Sequence, residues 1–204
     1  SSGPTQYAIL GLEATVPFRR FAIVATICMA LTGCVSLSTP KLEHSWSGRF
    51  SLSAQSATQQ EHQSGHFELT NATSQTVLDL KSALGNVIAR IEETDSYASV
   101  EALGKDKVTA TDLNTLMRQT LGFTVPVTGL PYWIEGEPAP GSAAQTQPTS
   151  PPFSQIVQDG WNIRYETRDS AGAPRRIRIN READETTPAL SMTLLIQERH
   201  HAEH

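Results

Sequence analysis

Among the side chains that could do chemistry, the Cys34 thiol has the most informative surroundings. It closes the run Leu31-Thr32-Gly33-Cys34, behind Arg19, Arg20 and an uncharged apolar stretch from Phe21 to Ala30. A positive n-region, a short apolar h-region and small residues before a cut are the layout of a secretory signal. A transmembrane helix with an incidental cysteine is the competing reading. The apolar run is too short for it, because crossing a bilayer takes about 20 residues. Cys28 lies inside that same run and would leave with the signal. The mature chain then holds Cys34 alone, with no pair for a disulfide or a cysteine-metal site.

Other reactive groups are spread thinly. Glu61, His62 and His66 have the donor types of a metal site, yet they lie about a polar turn where solvated side chains are the commoner arrangement. His200, His201 and His204 form a polar tail with no assigned role. There is no glycine-rich phosphate loop, no nucleophile elbow and no carboxylate pair in a recognisable setting. No catalytic residue, no metal ligand and no cofactor is therefore expected. The 16 Lys+Arg stand against 21 Asp+Glu and are scattered along the chain. A nucleic-acid binder would gather them on one face.

Two segments are expected: an upstream extension with its signal over residues 1–33, and one mature domain over 34–204. Residues 1–17 do not fit the signal, since they are not basic and precede the arginines. Either the assigned start is too far upstream or these residues are foreign; a start at Val16 would leave a signal of ordinary length. From Cys34 onward the chain is long enough to bury a core without staples. Val35 to His44 reads as a polar tether, with Pro40 discouraging regular structure.

From Trp46 the pattern alternates strictly: Trp46, Gly48, Phe50, Leu52 and Ala54 on one side, polar residues on the other, which is a half-buried strand. Gln55–Gln63 is polar and turn-like. Further strands are expected around Phe67 and Leu69, over Val77–Lys81, Asn86–Glu92, Ser96–Leu103 and Lys107–Thr109. The period then changes. Leu113, Leu116, Met117 and Leu121 share a helical face, with Thr111 as N-cap and Gly122 as terminator. Pro131 and Gly136 bound a second, short helix. Residues 137–152 are rich in Pro, Ser, Thr and Gln and are expected to form a mobile loop. Asp159-Gly160 is a strong hairpin signal between Phe153–Gln158 and Trp161–Thr167. Arg175–Arg181 and Leu190–Glu198 complete the set. Many short strands without long crossovers make an antiparallel sheet that curls toward a barrel.

Two resemblances then enter. Leucine, small residue, glycine, cysteine resembles a bacterial lipobox, which implies cleavage before Cys34, diacylglycerol on its sulfur and acylation of its new amino group. The mature chain resembles the LolB family of outer-membrane lipoproteins. The matching stretches are Trp46-Ser-Gly-Arg-Phe-Ser-Leu52, Leu84-Gly85-Asn86, Leu121-Gly-Phe-Thr-Val-Pro-Val127, Leu130-Pro-Tyr-Trp-Ile-Glu-Gly136, Gly160-Trp-Asn-Ile-Arg-Tyr165 and Pro174-Arg-Arg-Ile-Arg-Ile179. The resemblance implies a mainly β fold: an incomplete antiparallel barrel, or half-barrel, with a helical lid over an apolar cavity. It implies a receptor that takes acylated lipoproteins from a LolA-type periplasmic carrier and passes them to outer-membrane phospholipid. A monomer at the periplasmic face, anchored through Cys34, is expected; Val35 in place of aspartate after the cysteine agrees with outer-membrane sorting.

The alternation would place Trp46, Phe50, Leu52, Phe67, Leu78, Leu80, Ile91, Trp161, Ile163, Ile177, Met192 and Leu194 on inward faces. Leu113, Leu116, Met117, Tyr132, Trp133 and Ile134 would line the lid. For each alone, ordinary core is the stronger reading; only a collective excess would mark an acyl-chain cavity. Leu84 sits at a turn with nothing obvious to pack against. The matching family leucine is carried on a protruding loop and assists membrane delivery, although Ala83 stands here where the family often has proline. Arg175, Arg176, Arg178 and Arg181 could meet lipid headgroups or an acidic carrier surface, or could protect an edge strand by charge. The alternatives are a lipid-anchored sensor, scaffold or lipid carrier of similar fold, and a lipid-anchored hydrolase, which the missing catalytic constellation disfavours.

Overall fold

The computed structural model describes residues 42–202. The signal, Cys34 and the boundary at residues 33 and 34 lie outside them, as do the start of the tether and His204. Alternating sequence becomes strand wherever it was expected, and strand also forms in two places that do not alternate. The strands are β1 (Leu42–Gln55), β2 (Gln60–Ala72), β3 (Gln75–Lys81), β4 (Val87–Thr94), β5 (Ala98–Ala102) and β6 (Val108–Ala110). After helices α1 (Leu113–Leu121) and α2 (Leu130–Trp133) come β7 (Ala144–Gln147), β8 (Gln155–Gln158), β9 (Trp161–Arg168), β10 (Pro174–Arg181) and β11 (Ala189–His201).

All eleven strands form one sheet in the order β6-β5-β4-β3-β2-β1-β11-β10-β9-β8-β7. Every neighbouring pair is antiparallel. The chain thus builds two meanders and joins them by pairing β1 with β11. β6 and β7 remain at opposite edges, so the sheet is an unclosed barrel. The segment that connects those two edges carries both helices, and this connection makes them the cover of one face.

Two glycines allow the long central strands to come together. A Cβ on Gly48 would lie 2.0 Å from the Leu195 carbonyl oxygen, and one on Gly65 1.9 Å from that of Lys81. The register between β1 and β11 also shifts between Ser47 and Gly48. Bulges of this kind bend and twist a strand locally.

Three local expectations are corrected. Gln60–Gln63 is not turn but the start of β2, paired with the end of β1 from Gln55↔Gln60 to Leu52↔Gln63. Both faces of that stretch are exposed, so it has no apolar alternation to announce it. Part of the expected mobile loop, Ala144–Gln147, is β7, held by the β8 ladder rather than by apolar burial. The N-cap of α1 is Asp112, not Thr111. The Asp112 carboxylate accepts from the Asn114 amide at 3.1 Å and from Thr115 Oγ1 at 2.5 Å. Gly122 ends α1 as expected, at φ 83°, with its amide donating to the Arg118 carbonyl oxygen. A left-handed residue at this position suits glycine.

Candidate functional site

The period-two pattern puts one apolar side chain per two residues on the covered face, and the register stacks them across strands. Phe50 faces Leu194, which faces Ile177; Leu52 faces Met192, which faces Ile179. On the other meander Phe67 faces Leu80, and Leu69, Leu78, Ile91 and Val100 form a continuous row. All twelve expected inward residues, from Trp46 to Leu194, are buried on this face. The cover contributes Leu113, Leu116 and Met117 from α1, and Leu130, Trp133 and Ile134 from α2 and its end. Sheet face and cover form a single apolar cluster, so in this conformation the interior is packed with side chains. Tyr132 is the exception: it is 39% exposed on the outer side of α2. A helix as short as α2 has one inward face, and Trp133 and Leu130 occupy it.

Other members of the cluster extend the pattern: Leu69 and Ile179 continue the expected alternations with Phe67 and Ile177, and Val100 and Ile156 are buried in their own strands. Phe123, Val125 and Val127 are buried in the connection between the helices, and so are Thr124 and Pro126 between them, so the whole run is interior rather than one face of it.

The two helices are attached in different ways. Trp133 Nε1 donates to Gln158 Oε1 at 2.9 Å, and the Tyr165 hydroxyl donates to the Trp133 carbonyl oxygen at 2.8 Å. Burial pushes the Tyr165 phenol far above its ordinary pKa, so it remains a donor. Gln158 is itself fixed, its Nε2 donating to the carbonyl oxygens of Ala139 at 2.7 Å and Ser142 at 3.1 Å. At the end of α2, Glu135 Oε1 accepts from Trp46 Nε1 and, at 3.3 Å, from Arg199 Nε. Arg199 Nη2 reaches the carbonyl oxygens of Ile134 and Pro174. Among the described residues, α1 is tied beyond its own caps by one hydrogen bond, from Lys105 Nζ in the β5–β6 turn to the Thr120 carbonyl oxygen at 2.6 Å. Its other attachments to the sheet are apolar.

The remaining candidates scatter. Glu61, His62 and His66 are exposed along β2, and among the described residues no three His, Cys, Asp or Glu side chains gather as metal ligands. His200 and His201 are exposed, His201 Nδ1 lying 3.0 Å from His44 Nδ1. The basic run divides. Arg176 and Arg178 both pair with Glu166, at 2.7 and 2.9 Å, and Arg175 is exposed. Arg181 instead stacks its guanidinium 4.8 Å from the centre of the Trp161 ring. Leu84 is 89% exposed at the β3–β4 turn. A cleft of about 380 Å³ lies between the β2–β3 and β4–β5 turns and α2, lined by Gln75, Glu93, Thr128, Pro131 and Tyr132 among others.

An unclosed antiparallel barrel with an apolar concave face under a helical cover defines the class: a β half-barrel with a lid. The chain belongs to the outer membrane lipoprotein LolB family, whose model matches residues 43–198. It is 33% identical over 171 residues to the outer-membrane lipoprotein LolB of Thiobacillus denitrificans, covering 80% of this chain and 91% of that one. With the outer-membrane lipoprotein LolB of Cupriavidus pinatubonensis it shares 32% identity over 158 residues, 73% of this chain and 76% of the relative. The crystal structure of a LolA superfamily protein from Nitrosomonas europaea is similar at TM-score 0.42 and 10% identity, over 78% of this chain and 86% of that one.

Proposed function

We propose that this chain is the outer-membrane receptor for lipoproteins: it accepts acylated lipoproteins from a LolA-type carrier and inserts them into the outer membrane. The observation that carries the proposal is the continuous apolar face beneath a helix, α1, whose tie to the rest of the domain among the described residues is one hydrogen bond, from Lys105 in the β5–β6 turn. The cargo's problem is its acyl chains. Each methylene kept from water is worth about 0.8 kcal/mol, on the order of 10 kcal/mol for a chain of roughly fifteen. Withdrawing Leu113, Leu116 and Met117 from the core costs about 1.5–3 kcal/mol each. One acyl chain therefore offsets the displacement of α1. Displacing α2 would also strand the Trp133, Tyr165 and Glu135 hydrogen bonds in an apolar setting, at about 1–3 kcal/mol apiece.

In this scheme the acyl chain enters where α1 leaves and lies along Phe50, Leu52, Ile177, Met192 and Leu194, with Trp133 and Ile134 as a fixed wall. Binding and release need no bond-making step and no cofactor. Cys34, cleaved and acylated, keeps the domain at the periplasmic face of the membrane. Leu84, at its turn, assists the handover to phospholipid. The test is transfer from carrier loaded with acylated or unacylated lipoprotein. Capture and membrane appearance are expected for the acylated form alone; equal handling of both would overturn the proposal. Leu84→Glu is expected to leave folding and capture intact and to impair delivery, and full delivery by that variant would remove Leu84 from the scheme.

A further inference from the structure

We infer that the membrane-contacting edge comprises two hairpin tips rather than one, and that Leu103, at the β5–β6 turn, is the second leucine that enters lipid. The inference rests on the receptor reading above and extends it. β4 and β5 are adjacent, so the β3–β4 and β5–β6 turns emerge side by side at the same end of the sheet. The Leu103 amide donates to the Ile88 carbonyl oxygen at 2.8 Å, fixing one turn beside the strand that leaves the other. Leu84 is 89% exposed, Leu103 72% and Val87, between them, 39%. Val87 and Leu103 line one shallow depression of about 360 Å³. A Cβ on Gly85 or Gly104 would meet nothing within 4 Å, so the space beside each glycine is open. Apolar residues grouped in this way at a surface mark a contact site.

The charges indicate which contact. Lys81 pairs with Glu68 at 2.7 Å, Lys107 with Glu92 at 3.2 Å, and Lys105 donates to the Thr120 carbonyl oxygen. The lysines around the tips are thus engaged within the protein, while Glu101 and Asp106 are exposed. Attraction here is apolar, which fits the zwitterionic lipid of a bilayer and gives anionic lipid no advantage.

The full lipid-anchored chain in phosphatidylcholine vesicles brominated on their acyl chains tests this, because bromine quenches an indole that enters lipid. Trp46, Trp133 and Trp161 are buried and give a protected background. The fluorescence added by Leu103→Trp is expected to be quenched, as is that added by Leu84→Trp. That added by Tyr97→Trp, at the β4–β5 turn on the opposite end, is expected to survive. Quenching at Leu84 alone, at neither tip, or at Tyr97 as well would overturn the two-tip edge. Leu103→Asp should lower delivery about tenfold, the worth of one leucine's burial, with capture unchanged. A gain in tip quenching on adding anionic lipid would contradict the apolar basis. Carrier-to-receptor capture of acylated cargo, measured without vesicles, separates the two levels. Its absence in the unsubstituted protein defeats the receptor reading; its presence beside an unquenched Leu103→Trp defeats only the second tip.

Discussion

α1 and α2 cover the same apolar face with buried apolar side chains, yet they are held by different physics. α2 and its flanks are pinned to β1, β8, β9 and β11 through Trp133, Glu135 and the Trp133 carbonyl oxygen. α1 rests on Leu113, Leu116 and Met117, with Lys105 as its polar tie. Apolar contacts can be exchanged for those of a guest hydrocarbon with little net change, whereas a buried hydrogen bond has no substitute in an acyl chain. The difference assigns the helices unequal parts: α2 is wall and α1 is door.

The comparison can be broken most forcefully at Trp133. Trp133→Ala removes a fully buried indole and its hydrogen bond to Gln158, and is expected to destabilise the fold by about 3–5 kcal/mol in chemical denaturation. A loss no greater than that of an exposed substitution would refute the pinned wall. Gly129→Ala acts on the same element. Its Cβ would lie 2.6 Å from carbons of the Trp133 ring, and the overpacking should cost about 1–3 kcal/mol by the same assay. On the other side, Lys105→Met should cost about 1 kcal/mol or less in global stability. It should nevertheless speed amide exchange in α1 and leave α2 untouched. Equal acceleration in both helices would mean that they move together.

A smaller effect concerns the strands beside α1. Glu92 is desolvated by burial, which raises its pKa, but hydrogen bonds from Lys107, Tyr97 and Gln75 outweigh that and hold it below the ordinary carboxylate range. A depressed folded-state pKa contributes stability that is present above the unfolded value, near 4.5, and is lost as pH falls through the lower folded value. The unfolding free energy should therefore decline on that acid side, and more shallowly in Glu92→Gln. An identical slope in the two proteins would remove Glu92 from this role.

Much of the architecture is legible in the residues because burial on one face writes a period of two. The strands from Trp46 to Ala54 and from Leu190 to Ile196 are plain for that reason, and so is the helical spacing of Leu113, Leu116 and Met117. The first half of β2 and all of β7 are not, since both are held by ladder hydrogen bonds with little apolar burial, which leave no trace in side-chain pattern. The wall was equally hidden. Trp46 and Glu135 are 89 residues apart, Arg199 and Glu135 64, and nothing local announces their meeting. Arg181 shows the reverse, reading as part of a basic run although its guanidinium lies over Trp161.

The most direct measurement is amide hydrogen exchange, residue by residue, on the protein before and after it takes an acylated lipoprotein from the carrier. Protection should fall across Leu113–Leu121 on loading and persist across Leu130–Trp133 and the strands that pin it. Loss of protection in α2 with α1 unchanged, or loading with no change in either helix, would contradict entry of the acyl chain beneath α1.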